Sequence, residues 1–188
     1  NNTYLDNSTA KNKFQMDYPA IMSVGVGYST SDIDLALDFR RVDYENTEGF
    51  AETGWTQTAS VAGFGWKNIS ILSAGLQYKG IDKLPLRFGY TYSSNPIPEE
   101  VAFFNIPATA IIKHAYQFGL SYLVNYNWNI DAVYHYGDSD GSTSGQILSP
   151  MAASPSNPLG AITGSSVSYN MTTSMVMVGI SYTFNKKK

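Results

Sequence analysis

Three features are missing from this 188-residue sequence, and each absence excludes a class of protein. There is no cysteine, so disulfides and thiolate metal sites are excluded. No segment approaches the roughly 20 consecutive apolar residues of a transmembrane helix. Nor is there the clustered basic face that nucleic acids require, because the net charge is -3 and the only basic cluster is the terminal Lys186, Lys187 and Lys188.

Aromatic residues, by contrast, are abundant. Tyr, Phe and Trp make up 14% of the chain, yet its mean hydropathy is only -0.19. A β-barrel in a membrane has this composition, because the polar residues that face its lumen dilute the residues that face lipid.

Apolar and polar residues alternate with a period of two in seven segments. In the first half of the chain, Ile33, Leu35 and Leu37 would share one face of a strand, and Asp34 and Asp38 would lie on the other. Each segment is close to the ~9–11 residues that a tilted strand needs to cross a bilayer. The predicted strands lie at 22–28, 32–40, 72–79, 86–92, 116–124, 128–136 and 176–184.

Glycine recurs on the polar faces of these strands, and aromatic residues recur at their ends. The glycines would leave room on an inner wall for a ligand, a plug or strong curvature, while in a soluble strand they would be a weakness. Rings at strand ends match the interfacial girdles of outer-membrane barrels. These aromatic residues are Tyr28, Tyr78, Tyr92, Tyr122, Trp128, Tyr136 and Phe184.

The connections alternate between short and long. Short turns are predicted at 29–31, 80–83 and 125–127, and long segments at 43–65, 93–113 and 137–167. Bacterial barrels have short periplasmic turns and long extracellular loops, whereas a soluble sandwich has no reason to sort its connections in this way. The last strand would then end in the periplasm at Phe184, and we divide the chain into barrel residues 1–184 and a basic tail, 185–188.

Seven strands do not close a barrel. An open sheet in lipid would leave two edges of unpaired backbone groups, each costing several kcal/mol, roughly. Either strands are missing or another chain closes the sheet. The chain starts at Asn1 without a methionine, and a signal peptide is absent or was removed. We therefore expect, as the simpler account, that strands are missing from the N-terminal side.

Several segments resemble the FadL/TodX family of outer-membrane transporters for long-chain fatty acids and other hydrophobic compounds. The motifs that carry the resemblance are Asp17-Tyr18-Pro19-Ala20, Leu35-Ala36-Leu37-Asp38-Phe39, Gly65-Trp66-Lys67-Asn68, Leu86-Arg87-Phe88-Gly89-Tyr90, Ser94-Asn95-Pro96-Ile97-Pro98, Phe104-Asn105-Ile106-Pro107-Ala108 and His135-Tyr136-Gly137. No single motif is specific, but their order and spacing are. Asn68 stands where the family commonly has Asp.

The resemblance implies an all-β fold: an antiparallel transmembrane barrel of about fourteen strands, of which this chain would be the C-terminal half. The plug, its Asn-Pro-Ala signature and the strand kink of a lateral exit would belong to the N-terminal half. The expected partners are a long-chain fatty acid or other hydrophobic ligand, outer-membrane lipid or lipopolysaccharide, and that missing half with its plug.

A fatty acid needs an apolar surface and a basic group that pairs with its carboxylate. Arg40, Lys79 and Arg87 lie on the predicted inner face and are candidates for that group. The alternative is that they pair with Asp34, Asp38 or Asp131 as ordinary charges of a polar wall.

A predicted extracellular loop holds a second candidate, the apolar residues Phe103, Phe104 and Ile106. They either form a surface that captures hydrophobic ligands or pack against a neighbouring loop.

Catalysis, a cofactor and a metal site are not expected. His114 and His135 are far apart and lack a carboxylate at metal-ligand spacing, and Ser121 with His135 and Asp131 lacks a nucleophile-elbow sequence. The segment 137–141 lacks the later glutamate of a calcium loop. Three functions therefore compete: passive transport of hydrophobic ligands, a non-transporting barrel of the same family that acts as a secretion scaffold or shuttle, and a soluble β-sheet binding protein.

Overall fold

The computed structural model describes residues 2–5 and 11–184. Eleven strands and two short 3-10 helices follow one another along this part of the chain. They are β1 (Asn2–Leu5), β2 (Lys11–Phe14), β3 (Ala20–Ser29), β4 (Ile33–Asp43), β5 (Ile69–Tyr78), β6 (Leu86–Ser93), the 3-10 helix η1 (Glu99–Asn105), β7 (His114–Leu123), β8 (Trp128–Asp138), β9 (Thr143–Gly145), the 3-10 helix η2 (Pro150–Ala152), β10 (Val167–Tyr169) and β11 (Thr172–Tyr182).

Seven of these strands form one antiparallel sheet, which we call the wall. Its order is β11-β8-β7-β6-β5-β4-β3, so that each strand pairs with its neighbour in the chain except where β9 and β10 intervene. β9 and β10 form a small sheet of their own, and β1 pairs with β2. Among the described residues, no helix is both long enough and apolar enough to cross a membrane.

The alternation in the sequence gives the wall one apolar face and one polar face. On the apolar face, Val24 and Val178 are 68% and 70% exposed. Side chains of this kind do not cover a water-exposed sheet face at such density without a partner or a membrane. Trp128 and Tyr182 are cross-strand neighbours at the short-turn end of the wall, with ring centroids 4.8 Å apart, as the predicted aromatic girdle requires.

The three long connections, 44–68, 94–113 and 139–171, pack together at the other end of the wall. We call this assembly the loop cap. Its core consists of the buried residues Trp66, Ile97, Val101, Phe104, Ile111 and Leu148. Gly145 allows β9 to approach η1, because a Cβ there would lie 2.1 Å from the carbonyl oxygen of Glu99.

The seven predicted strands and the alternation of short and long connections are confirmed. The observed strands extend beyond most of the predicted segments, and β11 ends at Tyr182 rather than at Phe184. The predicted basic tail, 185–188, lies outside the described residues. Neither the β1–β2 hairpin nor the folded elements of the loop cap were predicted, because their strands have only three or four residues and no usable period.

Candidate functional site

The polar face of the wall and the loop cap above it form the candidate site. Where the polar face meets the cap, Val42 and Ile69, which continue the polar rows of β4 and β5, are only 4% and 9% exposed. Farther along the row of β4, Arg40 and Ala36 are exposed. A molecule that moved along the polar face would therefore reach the cap at the end of these rows.

At the short-turn end of the polar face, the side chain of Lys79 has two hydrogen-bond partners. Its Nζ lies 2.7 Å from Oδ1 of Asp34 and donates a second hydrogen bond to the carbonyl oxygen of Thr30 at 2.9 Å. Gln77 donates to the other carboxylate oxygen of Asp34 at 3.0 Å. The side chain predicted to bind a ligand is thus held by the strand beside it.

Arg87 continues the same network on the next strand. Its Nε donates to Oε1 of Gln77 and its Nη1 to Oγ of Ser121, both at 2.6 Å. Ser121 in turn donates to the carboxylate of Asp131, whose Oδ1 is 3.9 Å from Nη1 of Arg87. The network therefore crosses the wall from β4 to β8 and neutralises both of its cations.

Arg40 occupies the opposite end of the polar face, close to the loop cap. It faces Ser23 on β3 and Ile71 on β5 in the register of the sheet. Within residues 2–5 and 11–184, no carboxylate lies within 4.0 Å of its guanidinium, and its side chain makes no hydrogen bond. Of the three predicted basic site residues, Arg40 is the one whose charge the described chain leaves uncompensated.

Between these two ends, the polar face carries a row of small residues. Gly27, Ala36, Gly75 and Gly89 pair directly across four adjacent strands. A Cβ at Gly27 would meet only a carbonyl oxygen, 3.7 Å away, and one at Gly75 would meet only the Cβ of Ala36, 4.0 Å away. The polar face therefore has free space in front of Gly27 and Gly75, whereas at Gly89 a Cβ would lie 2.8 Å from Oε1 of Gln117.

The predicted loop residues lie at different depths in the cap. Phe104 is buried and packs edge-on against Trp55, with ring centroids 5.0 Å apart, as the packing alternative expects. Phe103 is partly buried against the same core, and Ile106 is 47% exposed. Ligand binding stays a prediction for all three. In the folded cap, however, only Phe103 and Ile106 are accessible enough to contact a ligand directly.

Asn105 is the central polar residue of the cap, and no pattern in the sequence identifies it as a site residue. It is fully buried, accepts a hydrogen bond from the indole of Trp66 at 2.6 Å, and donates to the carbonyl oxygens of Phe64 and Val101 at 2.8 and 2.9 Å. It thereby ties the first two long connections together. The motif Phe104-Asn105-Ile106-Pro107 was visible, but nothing in it distinguishes a buried asparagine from an exposed one.

Two cavities open within the loop cap. One, of about 560 Å³, lies between η1 and the third connection and is lined by Glu99, Glu100, Gln146 and Leu159 among others. The other, of about 540 Å³, lies between the first two connections, beside Trp66 and Val101. Burial in the cap raises the pKa of Tyr44 and of Tyr169 above the ordinary value of 10.0, and for Tyr44 the nearby Tyr18 adds to the rise.

The residues considered for hydrolysis and for calcium binding take part in other hydrogen bonds. Ser121 donates to Asp131 and bonds to Arg87, while His135 lies within hydrogen-bond distance of Gln117, 3.2 Å away. In the segment 137–141, Ser139 donates to the carbonyl oxygen of Gly141, and the amide of Asp140 donates to Asp138. This arrangement is a turn closed by its own hydrogen bonds.

Comparison with known proteins agrees with this geometry. The family model described as outer membrane protein transport protein (OMPP1/FadL/TodX) matches residues 1–186. A Pseudomonas aeruginosa FadL homologue is 16% identical, with a TM-score of 0.57 over 86% of this chain and 34% of its own. The Ralstonia pickettii toluene transporter TbuX is 15% identical, with a TM-score of 0.47 over 88% of this chain and 33% of its own. The chain thus spans about one third of the length of these solved structures, and no curated protein matches it significantly.

Proposed function

Because this chain belongs to the OMPP1/FadL/TodX family of outer-membrane transport proteins, we propose that it forms part of a barrel that passes long-chain fatty acids or other hydrophobic small molecules across the outer membrane. One observation carries the proposal: a loop cap with an apolar core stands at one end of a sheet that has one polar face and one apolar, exposed face. A ligand with an apolar body finds a matching surface in the cap.

The unpaired edges of the wall favour a barrel with more strands than the seven of the wall. β3 and β11 each pair with only one strand among the described residues. In lipid, every backbone donor and acceptor left unpaired at such an edge costs several kcal/mol, roughly. We propose that the N-terminal half of the same barrel, with its plug, pairs with both edges, and that lipid and lipopolysaccharide surround the apolar face.

The function is tested with the full-length protein in a Gram-negative host whose own fatty-acid transporter has been deleted. We expect expression to restore uptake of labelled oleate. Heat-modifiable gel migration verifies that the barrel is assembled. An assembled barrel that restores no uptake of oleate or of a neutral hydrocarbon would contradict the proposal.

The cap residues require separate variants. Phe103→Ser and Ile106→Ser alter the accessible members of the predicted capture surface and should lower uptake without reducing the amount of assembled barrel. Phe104→Ser also removes a buried ring, so a loss of uptake in that variant would report on cap folding as well. Unchanged uptake in both Phe103→Ser and Ile106→Ser would reject the capture role.

A further inference from the structure

The apolar face of the wall carries one strongly basic residue. Along β4, the side chains on this face run from Ile33 to Phe39 and end at Arg41, which is exposed. The other arginines of the wall strands, Arg40 and Arg87, lie on the polar face. In the seven wall strands, all of which are described, no second lysine or arginine shares the apolar face with Arg41. A charge on a face that meets lipid is costly unless it lies where the head groups begin.

The register of the sheet places Arg41 at the boundary of the apolar band. Phe39 pairs with Leu72, and Leu72 pairs with Tyr92 of the predicted aromatic girdle. Arg41 lies one step beyond this row, about 7 Å along its strand toward the loop cap. Because aromatic girdles mark the interfaces of the membrane, the guanidinium lies at the level of the lipid head groups, on the side of the long connections.

The described chain leaves the charge of Arg41 uncompensated. Within residues 2–5 and 11–184, no carboxylate lies within 4.0 Å of its guanidinium. Asp43, the closest acidic residue along β4, instead accepts two hydrogen bonds from the side-chain amide of Asn46, both at 2.8 Å. Nη1 of Arg41 donates to Oγ of Ser70 at 3.4 Å. Since a guanidinium has five N–H donors, most of them remain available to a ligand.

Two serine hydroxyls and an apolar surface adjoin Arg41. Ser70 pairs with Arg41 across the strands, and the amide of Ser70 donates to Oγ of Ser94 at 3.0 Å. Both hydroxyl oxygens act as acceptors in these contacts, so each can give its proton to an oxygen of a ligand. Met22, the partner of Arg41 on β3, and Phe39 are 73% and 43% exposed. A cation with two hydroxyls thus stands directly above exposed apolar side chains.

We propose that Arg41, with the hydroxyls of Ser70 and Ser94, binds a phosphate of lipid A, the phosphorylated glycolipid of the outer leaflet. An acyl chain of the same molecule lies on the apolar face over Met22 and Phe39. Guanidinium and phosphate pair through two parallel hydrogen bonds, and the hydroxyls satisfy further phosphate oxygens. The proposal rests on the placement of the wall in the outer membrane, which the proposed function shares, and not on the compound that is transported.

The test is a titration of the full-length barrel in detergent, followed by native mass spectrometry, with lipid A and with the same lipid A after removal of its phosphates. We expect R41Q to bind lipid A about ten-fold more weakly than the wild type does, because a charge-assisted contact is lost. R41K should regain part of the affinity, and dephosphorylated lipid A should bind R41Q and the wild type equally.

Lys67→Gln is the matched control. Lys67 is an exposed cation in the first long connection, and its Nζ lies 3.2 Å from Oε1 of Glu45. The substitution therefore removes the same charge near the same end of the wall, but from a cation that the chain already neutralises. Lipid A affinity should stay at the wild-type value, and heat-modifiable gel migration verifies that each variant is assembled.

The outcomes separate this site from the proposed transport. Loss of lipid A affinity in R41Q alone supports the site. Wild-type affinity in R41Q, or an equal loss in K67Q, overturns it. Phosphatidylglycerol that binds as tightly as lipid A, with the same dependence on Arg41, overturns the assignment to lipid A. Oleate uptake should not change in R41Q, and a wild-type barrel that binds lipid A but transports nothing would contradict only the proposed function.

Discussion

The wall and the loop cap place their apolar side chains in opposite directions. On the wall, Val24 and Val178 point away from the chain and are largely exposed, whereas in the cap Phe104 and Ile111 are almost completely buried. The wall is held by a continuous ladder of backbone pairs from β3 to β11. The cap depends on side-chain packing and on polar contacts such as that between Trp66 and Asn105.

The difference reflects the medium around each region. In water, apolar side chains are stabilised by burial, and the cap follows that rule. In lipid, the apolar surface belongs on the outside and every backbone group must be paired, and the wall follows that rule. Different physical rules thus govern the two regions of one chain, and substitutions in each region can test them separately.

The largest effect is expected from Phe104→Ala in the cap. Removing a buried ring costs about 3–5 kcal/mol, and here it also removes the edge-on contact with Trp55. We expect the cap to open while the barrel still assembles, so that protease added to intact cells cleaves the long connections. Ile106→Ala, at an exposed neighbouring position, is the control. A barrel that failed to assemble would show that the two regions are not independent.

A charge on the lipid-facing side of the wall should come next. Val178→Arg at mid-strand is expected to destabilise the assembled barrel by about 2–4 kcal/mol. Met177→Arg places the same charge one residue away on the polar face and should be tolerated far better. The measurement is the fraction of heat-modifiable barrel in the outer membrane. Equal losses in the two variants would mean that the assignment of the two faces is wrong.

The wall was predictable from the sequence because its signal is local. Alternation along each strand and the length of each connection identified all seven strands of the sheet. The cap was not predictable, since its contacts join distant parts of the chain: the indole of Trp55 bonds to the carbonyl oxygen of Leu159, 104 residues later. Nothing local to Phe103-Phe104 indicates which ring is buried.

The candidate site was predictable only in part, for a related reason. Strand alternation placed Arg40, Lys79 and Arg87 on the polar face. Which of them is neutralised depends on register, which brings Asp34 beside Gln77 and Ser121 beside Asp131.

A smaller effect is expected from Arg87→Gln, which tests whether a cation that already pairs with a carboxylate also binds a ligand. The ion pair with Asp131 is partly exposed, with a distance of 3.9 Å, so its loss should cost no more than about 1 kcal/mol. Oleate affinity should stay at the wild-type value. Thermal unfolding and oleate titration of the same sample measure both quantities. A loss of oleate affinity would place Arg87 in the ligand site.

The smallest effect concerns the cap at alkaline pH. Burial raises the pKa of Tyr44 in the folded cap above the ordinary 10.0, so the folded cap holds the phenolic proton more tightly than the unfolded chain does. The resulting stability is fully present below pH 10.0 and is lost as the pH rises from there through the raised value. Protease cleavage of the long connections should therefore increase across this window while the wall stays assembled. Tyr44→Phe keeps the ring contacts with Phe50 and Trp66 but has no proton to lose, so its cap should resist cleavage to higher pH. Identical pH profiles for Y44F and the wild type would assign the alkaline opening to another group, with Tyr169 the next to vary.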